Sequence, residues 1–112
     1  MAECPRCAFT EMNERDSGLG FPIDECPECG GRWYDLSELE KVSKDPEKFR
    51  KAQEGGLKRT RPSERDCPRC RRKLVNGGLI SELLRVDCCE TCRGIWLDKN
   101  EIALVDKLLQ SV

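Results

Sequence analysis

Apolar residues along the chain follow two patterns. Short runs at residues 9–13, 21–24, 74–76 and 83–86 mix Val, Ile, Leu and Phe with polar neighbours and predict short strands. Asp16-Ser17-Gly18 and Asn76-Gly77-Gly78 are turn signals between them, so each pair of runs reads as a hairpin. A third short strand fits residues 32–34 and again 95–97. Asp35 and Asp98 then look like helix N-caps, each with a glutamate three residues on, Glu38 and Glu101, in the capping-box position. Beyond them the spacing turns helical. Leu36, Leu39 and Val42 share a face in the first half, Asp45-Pro46 restarts the helix and Gly55-Gly56 ends it, while Ile102, Val105, Leu108 and Leu109 carry the pattern to the C-terminus.

The same elements occur twice because the sequence does. A shift of 63 residues lays Cys4-Pro5-Arg6-Cys7 on Cys67-Pro68-Arg69-Cys70. Without a gap, Cys26 falls on Cys89, Cys29 on Cys92, Gly31 on Gly94, Trp33 on Trp96, Asp35 on Asp98, Glu38 on Glu101 and Asp24 on Asp87. Each copy reads Cys-Pro-Arg-Cys, eighteen residues, Cys-x-x-Cys-x-Gly-x-Trp-x-Asp-x-x-Glu, and a helical pattern.

Composition explains why the cysteines matter. Leu, Ile, Val and Phe number 24 of 112 residues and charged residues reach 37%, which is little apolar material for two halves of this size. Metal or disulfides must supplement the core. Met1-Ala2-Glu3-Cys4 lacks the basic and apolar regions of a secretory signal, so a reducing, cytoplasmic setting is expected, and nine cysteines cannot all pair. Metal is the better reading. A Cys-x-x-Cys turn supplies two thiolates from one backbone bend, and two such turns complete a tetrahedral shell. Cys4, Cys7, Cys26 and Cys29 would bind one zinc, and Cys67, Cys70, Cys89 and Cys92 a second. Cys88 is the ninth thiol. Iron in a rubredoxin-like site would take the same ligands, but the glycine usual after each of its knuckles is met only at Gly30. The fold expected is a small metal-stabilised α+β structure, with zinc bound within each repeat so that each half folds alone. Four thiolates close the shell and no histidine is present to act as a base, so no enzyme is expected. Trp33 and Trp96 are read as core, each ring packed over its knuckle and the following helix, rather than as base-stacking platforms.

The unit from Cys29 to Leu39, Cys-Gly-Gly-Arg-Trp-Tyr-Asp-Leu-Ser-Glu-Leu, preceded by Cys-Pro-x-Cys, resembles the TFIIB-type transcription-factor zinc-finger family of small prokaryotic proteins. The resemblance covers roughly residues 3 to 44 and 66 to 110 and departs at Arg93, where the pattern has Gly, and at Asn100. It implies two tandem zinc ribbons, each followed by a helix, with the eight named cysteines as ligands. It points, through the family's name, to transcription.

Charge is balanced overall, 20 Lys+Arg against 21 Asp+Glu, but not along the chain. Residues 44–73 hold twelve cations against five acids, a net of +7 that leaves −8 elsewhere. With zinc bound to eight thiolates the total becomes about −5, which excludes a general polyanion binder. A division into residues 1–45, a basic helix and linker at 46–65, and residues 66–112 follows. Lys58, Arg59, Arg61, Arg65, Arg69, Arg71, Arg72 and Lys73 are the candidates for phosphate contact, against a bland reading as a solvated linker. A nucleic-acid-binding or transcription-associated protein is expected, with a two-ribbon protein-interaction adaptor as the alternative. Neither a membrane nor a small-molecule substrate is expected as a partner.

Overall fold

The computed structural model describes residues 3–7, 9–53 and 56–110. Its strands are β1 (Asn13–Asp16), β2 (Pro22–Glu25), β3 (Arg32–Asp35), β4 (Lys58–Asp66), β5 (Lys73–Gly78), β6 (Arg85–Cys88) and β7 (Gly94–Leu97); its helices are α1 (Leu36–Val42), α2 (Pro46–Ala52) and α3 (Lys99–Gln110). All seven strands form one antiparallel sheet in the order β1-β2-β3-β7-β6-β5-β4. The two copies therefore do not stand apart. They join along β3 and β7, where Trp33 lies opposite Trp96 and Tyr34 opposite Ile95, so that the repeat becomes an approximate two-fold in space.

Alternation along the strands divides the interior between the two faces of this sheet. Ile23, Tyr34, Val86, Ile95 and Leu97 turn to the face covered by the helices, where Leu39, Phe49, Val105 and Leu109 meet them. Trp33 and Trp96 turn the other way, into a cluster with Met12, Leu74 and the cysteines. The side chains of Leu36 and Ile102 lie outside what the structure describes.

The helices start where their caps dictate. The Asp35 N–H donates to Glu38 Oε1 at 3.0 Å and the Asp35 side chain accepts the Glu38 N–H, a complete capping box; at α3 the Asp98 N–H donates to Glu101 Oε1 at 2.9 Å while the Glu101 N–H turns to the Asp98 carbonyl. Pro46 opens α2 behind Asp45, whose side chain accepts the Lys48 N–H at 3.1 Å. The helix ends at Ala52, and of the Gly55-Gly56 pair Gly55 lies outside the described residues.

Several strand boundaries differ from the sequence reading. The first strand begins at Asn13 rather than at residue 9, with an isolated bridge from Glu3 to Glu11 before it. Asn76-Gly77-Gly78 is not a turn but the end of β5, and the reversal occurs at residues 79–84, where the Leu79 N–H donates to the Leu84 carbonyl at 2.8 Å. Gly77 is there for close packing, since a Cβ on it would stand 2.8 Å from Leu57 Cβ. The last run accordingly shifts to β6, leaving Leu83 exposed in the loop.

The stretch read as a solvated linker is mostly β4, a nine-residue edge strand paired irregularly with β5. Its exposed Lys, Arg and Pro62 are the features that keep an edge from recruiting another strand. No helix among the described residues is long and apolar enough to cross a membrane.

Candidate metal centre

Each copy brings its two Cys-x-x-Cys turns together at one end of its strands. The sulfurs of Cys4, Cys7, Cys26 and Cys29 all lie within 4.8 Å of one another, and so do those of Cys67, Cys70, Cys89 and Cys92. Cys4 and Cys29 stand 3.9 Å apart at sulfur, Cys67 and Cys92 3.7 Å. A zinc ion with four thiolates at about 2.3 Å holds its sulfurs about 3.8 Å apart, so both quartets fit that ion.

Backbone amides complete each knuckle. The N–H groups of Arg6 and Cys7 point at Cys4 Sγ (3.4 and 3.2 Å), those of Arg69 and Cys70 at Cys67 Sγ (3.4 and 3.2 Å). Cys29 and Cys92 N–H groups reach Cys26 and Cys89 Sγ at 3.5 Å. After the second cysteine the chain turns left-handed, at Gly30 (φ 76°), Arg71 (φ 61°) and Arg93 (φ 64°), and the N–H of each closes on the carbonyl of Cys26, Cys67 and Cys89. Arg93, the departure from the family's glycine, thus holds a conformation that glycine adopts more easily.

Burial without a cation sets the thiols against one another. Burial drives Cys4 far above the ordinary thiol range and Cys92 up to about 12, while Cys7 and Cys70 also rise. Burial opposes ionisation of Cys89 too, but N–H donors from Cys92 and Thr91 and its sulfur neighbours bring it down to about 7; Cys26 is lowered in the same way. A divalent ion is the charge that lets all four ionise together. Cys88 belongs to neither quartet; half-buried, with its Sγ 3.6 Å from the Cys89 carbonyl, it is pushed up to about 11 by burial and by Cys89.

The tryptophans are core, but not as expected. Neither ring packs on the helix that follows it, because the helices cover the opposite face. A Cβ placed on Gly94 would stand 2.0 Å from Trp33 Cζ2, and one on Gly31 2.3 Å from Trp96 Cζ2. Each indole therefore lies on the glycine of the other copy, beside that copy's second knuckle. Trp96 Nε1 donates to Asp98 Oδ1 at 3.0 Å, whereas the buried Trp33 Nε1 has no partner among the described residues.

The eight candidate cations separate into two groups. Arg59 pairs with Glu82 (2.7 Å), Arg65 with the buried Asp87 (3.0 Å), Arg69 with Asp24 across the repeat (3.8 Å) and Lys73 with Asp66 (3.1 Å). Lys58, Arg61, Arg71 and Arg72 are exposed and have no ion pair among the described residues. The groove of about 370 Å³ between the two Cys-Pro-Arg-Cys knuckles sets Arg6, Arg65 and Arg71 against Glu3, Glu64 and Asp66, so it is no dedicated phosphate pocket.

The duplicated sulfur quartets have a counterpart among known families: the family model described as transcription factor zinc-finger matches residues 3–45 and 66–110. The chain belongs to this family, with two tandem copies. Comparison with curated proteins and with solved structures finds no match. The family and the two Cys4 groups together make this a structural zinc-binding protein with two sites.

Proposed function

We propose that this zinc-ribbon protein contacts the phosphates of nucleic acid, weakly and without reading bases, along its basic β4 edge. The observation that carries the reading is the set Lys58, Arg61, Arg71 and Arg72, exposed on or near one sheet edge and without an ion pair among the described residues. The other four cations of this segment are engaged within the molecule and count little. Trp33, Trp96 and Tyr34 are buried and offer bases no platform, and contact through phosphates carries no sequence information, so binding tolerates any sequence. Zinc is structural in this reading, since four thiolates leave no position for a reacting water.

Four displaced counterions give a log-log slope of affinity on salt of about −2.8 on single strands and −3.6 on duplexes. Fluorescence anisotropy of labelled DNA and RNA with the zinc-loaded protein measures it. Lys58→Gln with Arg61→Gln is expected to flatten the slope by about 1.4 on single strands and about 1.8 on duplexes, and Arg59→Gln by much less. No binding to any single- or double-stranded oligonucleotide at low salt rejects the proposal in favour of a protein-interaction adaptor, the reading that the exposed Phe9 (97%) and Leu83 (84%) support.

A further inference from the structure

On the sulfur side, contacts between the two copies among the described residues cluster around the two sulfur quartets. Trp33 stands four residues after Cys29, and its ring lies on Gly94, two residues after Cys92. Trp96 repeats the arrangement on Gly31. The buried members of both quartets, Cys4, Cys26, Cys67 and Cys89, share one cluster with the two indoles. The first-knuckle arginines cross as well: Arg6 reaches Asp98 at 3.6 Å and Arg69 reaches Asp24 at 3.8 Å.

We propose that the two Cys4 sites load zinc as one cooperative unit, coupled through the reciprocal packing of each tryptophan on the other copy's glycine. The coupling is a consequence of where ordering occurs. Closing Cys26 and Cys29 on an ion fixes the entry to β3 and hence the Trp33 ring. That ring packs on Gly94, where only a residue without Cβ leaves room for it, and the Gly94 carbonyl accepts the Cys89 N–H at 2.9 Å, so the ring bears on the close of the Cys89–Cys92 turn. Part of the second site is thus assembled by filling the first, and the two-fold arrangement makes the effect reciprocal. Free energy of metal binding to a small ribbon is largely free energy of folding, so an ion that orders both halves leaves less ordering for its successor. Zinc loss is all-or-none by the same argument: a chain that gives up one ion releases both.

Titration of the metal-free, reduced full-length chain with zinc, followed by native mass spectrometry, tests this. Independent equal sites put about half of the chains in the one-zinc form at half saturation, and unequal independent sites put more there. The coupled chain is expected to show under about a quarter, with metal-free and two-zinc chains dominating. A one-zinc fraction at or above that level overturns the proposal. A second measurement locates the route. Gly94→Ala, beside the second site, is expected to make the first site give up zinc to a chelator at least about tenfold more readily than the parent. Alkylation mapping of Cys4, Cys7, Cys26 and Cys29 reads this out. Adding Trp33→Phe, which removes the indole atoms lying on Gly94, restores retention. First-site zinc unaffected by Gly94→Ala, or not regained in the double variant, shows that the tryptophan packing is not the link.

Discussion

A side chain at Gly94 has nowhere to go. Its Cβ would stand 2.0 Å from the Trp33 ring in a packed interior, so Gly94→Ala is expected to destabilise the zinc-loaded protein by about 3 kcal/mol, through overpacking rather than lost contacts. The opposite holds one residue earlier. Arg93 occupies φ 64°, and Arg93→Gly is expected to stabilise by about 1 kcal/mol, the relieved strain exceeding the added freedom of the unfolded chain. Chemical denaturation at fixed free zinc checks both, and an unchanged midpoint for Gly94→Ala would sink the packing argument. The tryptophans show what a sequence can and cannot reveal at this scale. That Trp33 and Trp96 are buried was legible from their place beside a knuckle. That each rests on a glycine from the other copy was not, because a match between Gly31 and Gly94 reports equivalence and says nothing of which ring covers which glycine.

Among the elements, the knuckles were the most legible and β4 the least. Two cysteines three apart force one bend, and the offset between copies assigns the pairs, so local spacing suffices. The β4 segment, Lys-Arg-Thr-Arg-Pro-Ser-Glu-Arg-Asp, has no alternation of apolar residues to announce a strand; it is an edge held by pairing with β5, and its charges disguise it as a linker. Asn76-Gly77-Gly78 misleads for a related reason, its glycine serving the approach of Leu57 instead of a reversal. The knuckles also carry a pH prediction. Before metal binds, burial raises Cys4 and Cys7 in one site and Cys70 and Cys92 in the other, so these thiols are protonated at neutral pH. Zinc takes thiolates, hence it displaces at least two protons per site around pH 7. The sign follows directly: affinity rises with pH, by at least about two logarithmic units per pH unit per site, and falls on acidification. Calorimetric titration in buffers of different ionisation enthalpy counts the protons. Release of fewer than two per ion would mean that the thiols are already ionised.

At the scale of the whole molecule, the duplication was plain in the sequence and its consequence was not. Tandem copies with all ligands in cis imply halves that fold alone, yet β3 and β7 are the central pair of one sheet, and cutting the chain between α2 and β4 exposes a hydrogen-bonding edge and a buried indole on each side. Such an edge is a template for the strand it has lost. Fragments 1–56 and 57–112 are therefore expected, when mixed with zinc under reducing conditions, to reassemble into a one-to-one complex holding two ions. Each alone either self-associates through the same edge or stays largely unfolded at equal zinc. Analytical ultracentrifugation with zinc determination distinguishes these outcomes. Two monomeric fragments, each folded around its own ion and indifferent to the other, would show that the β3–β7 pairing is a contact between independent ribbons. The cooperative loading of the intact chain would then have no structural basis.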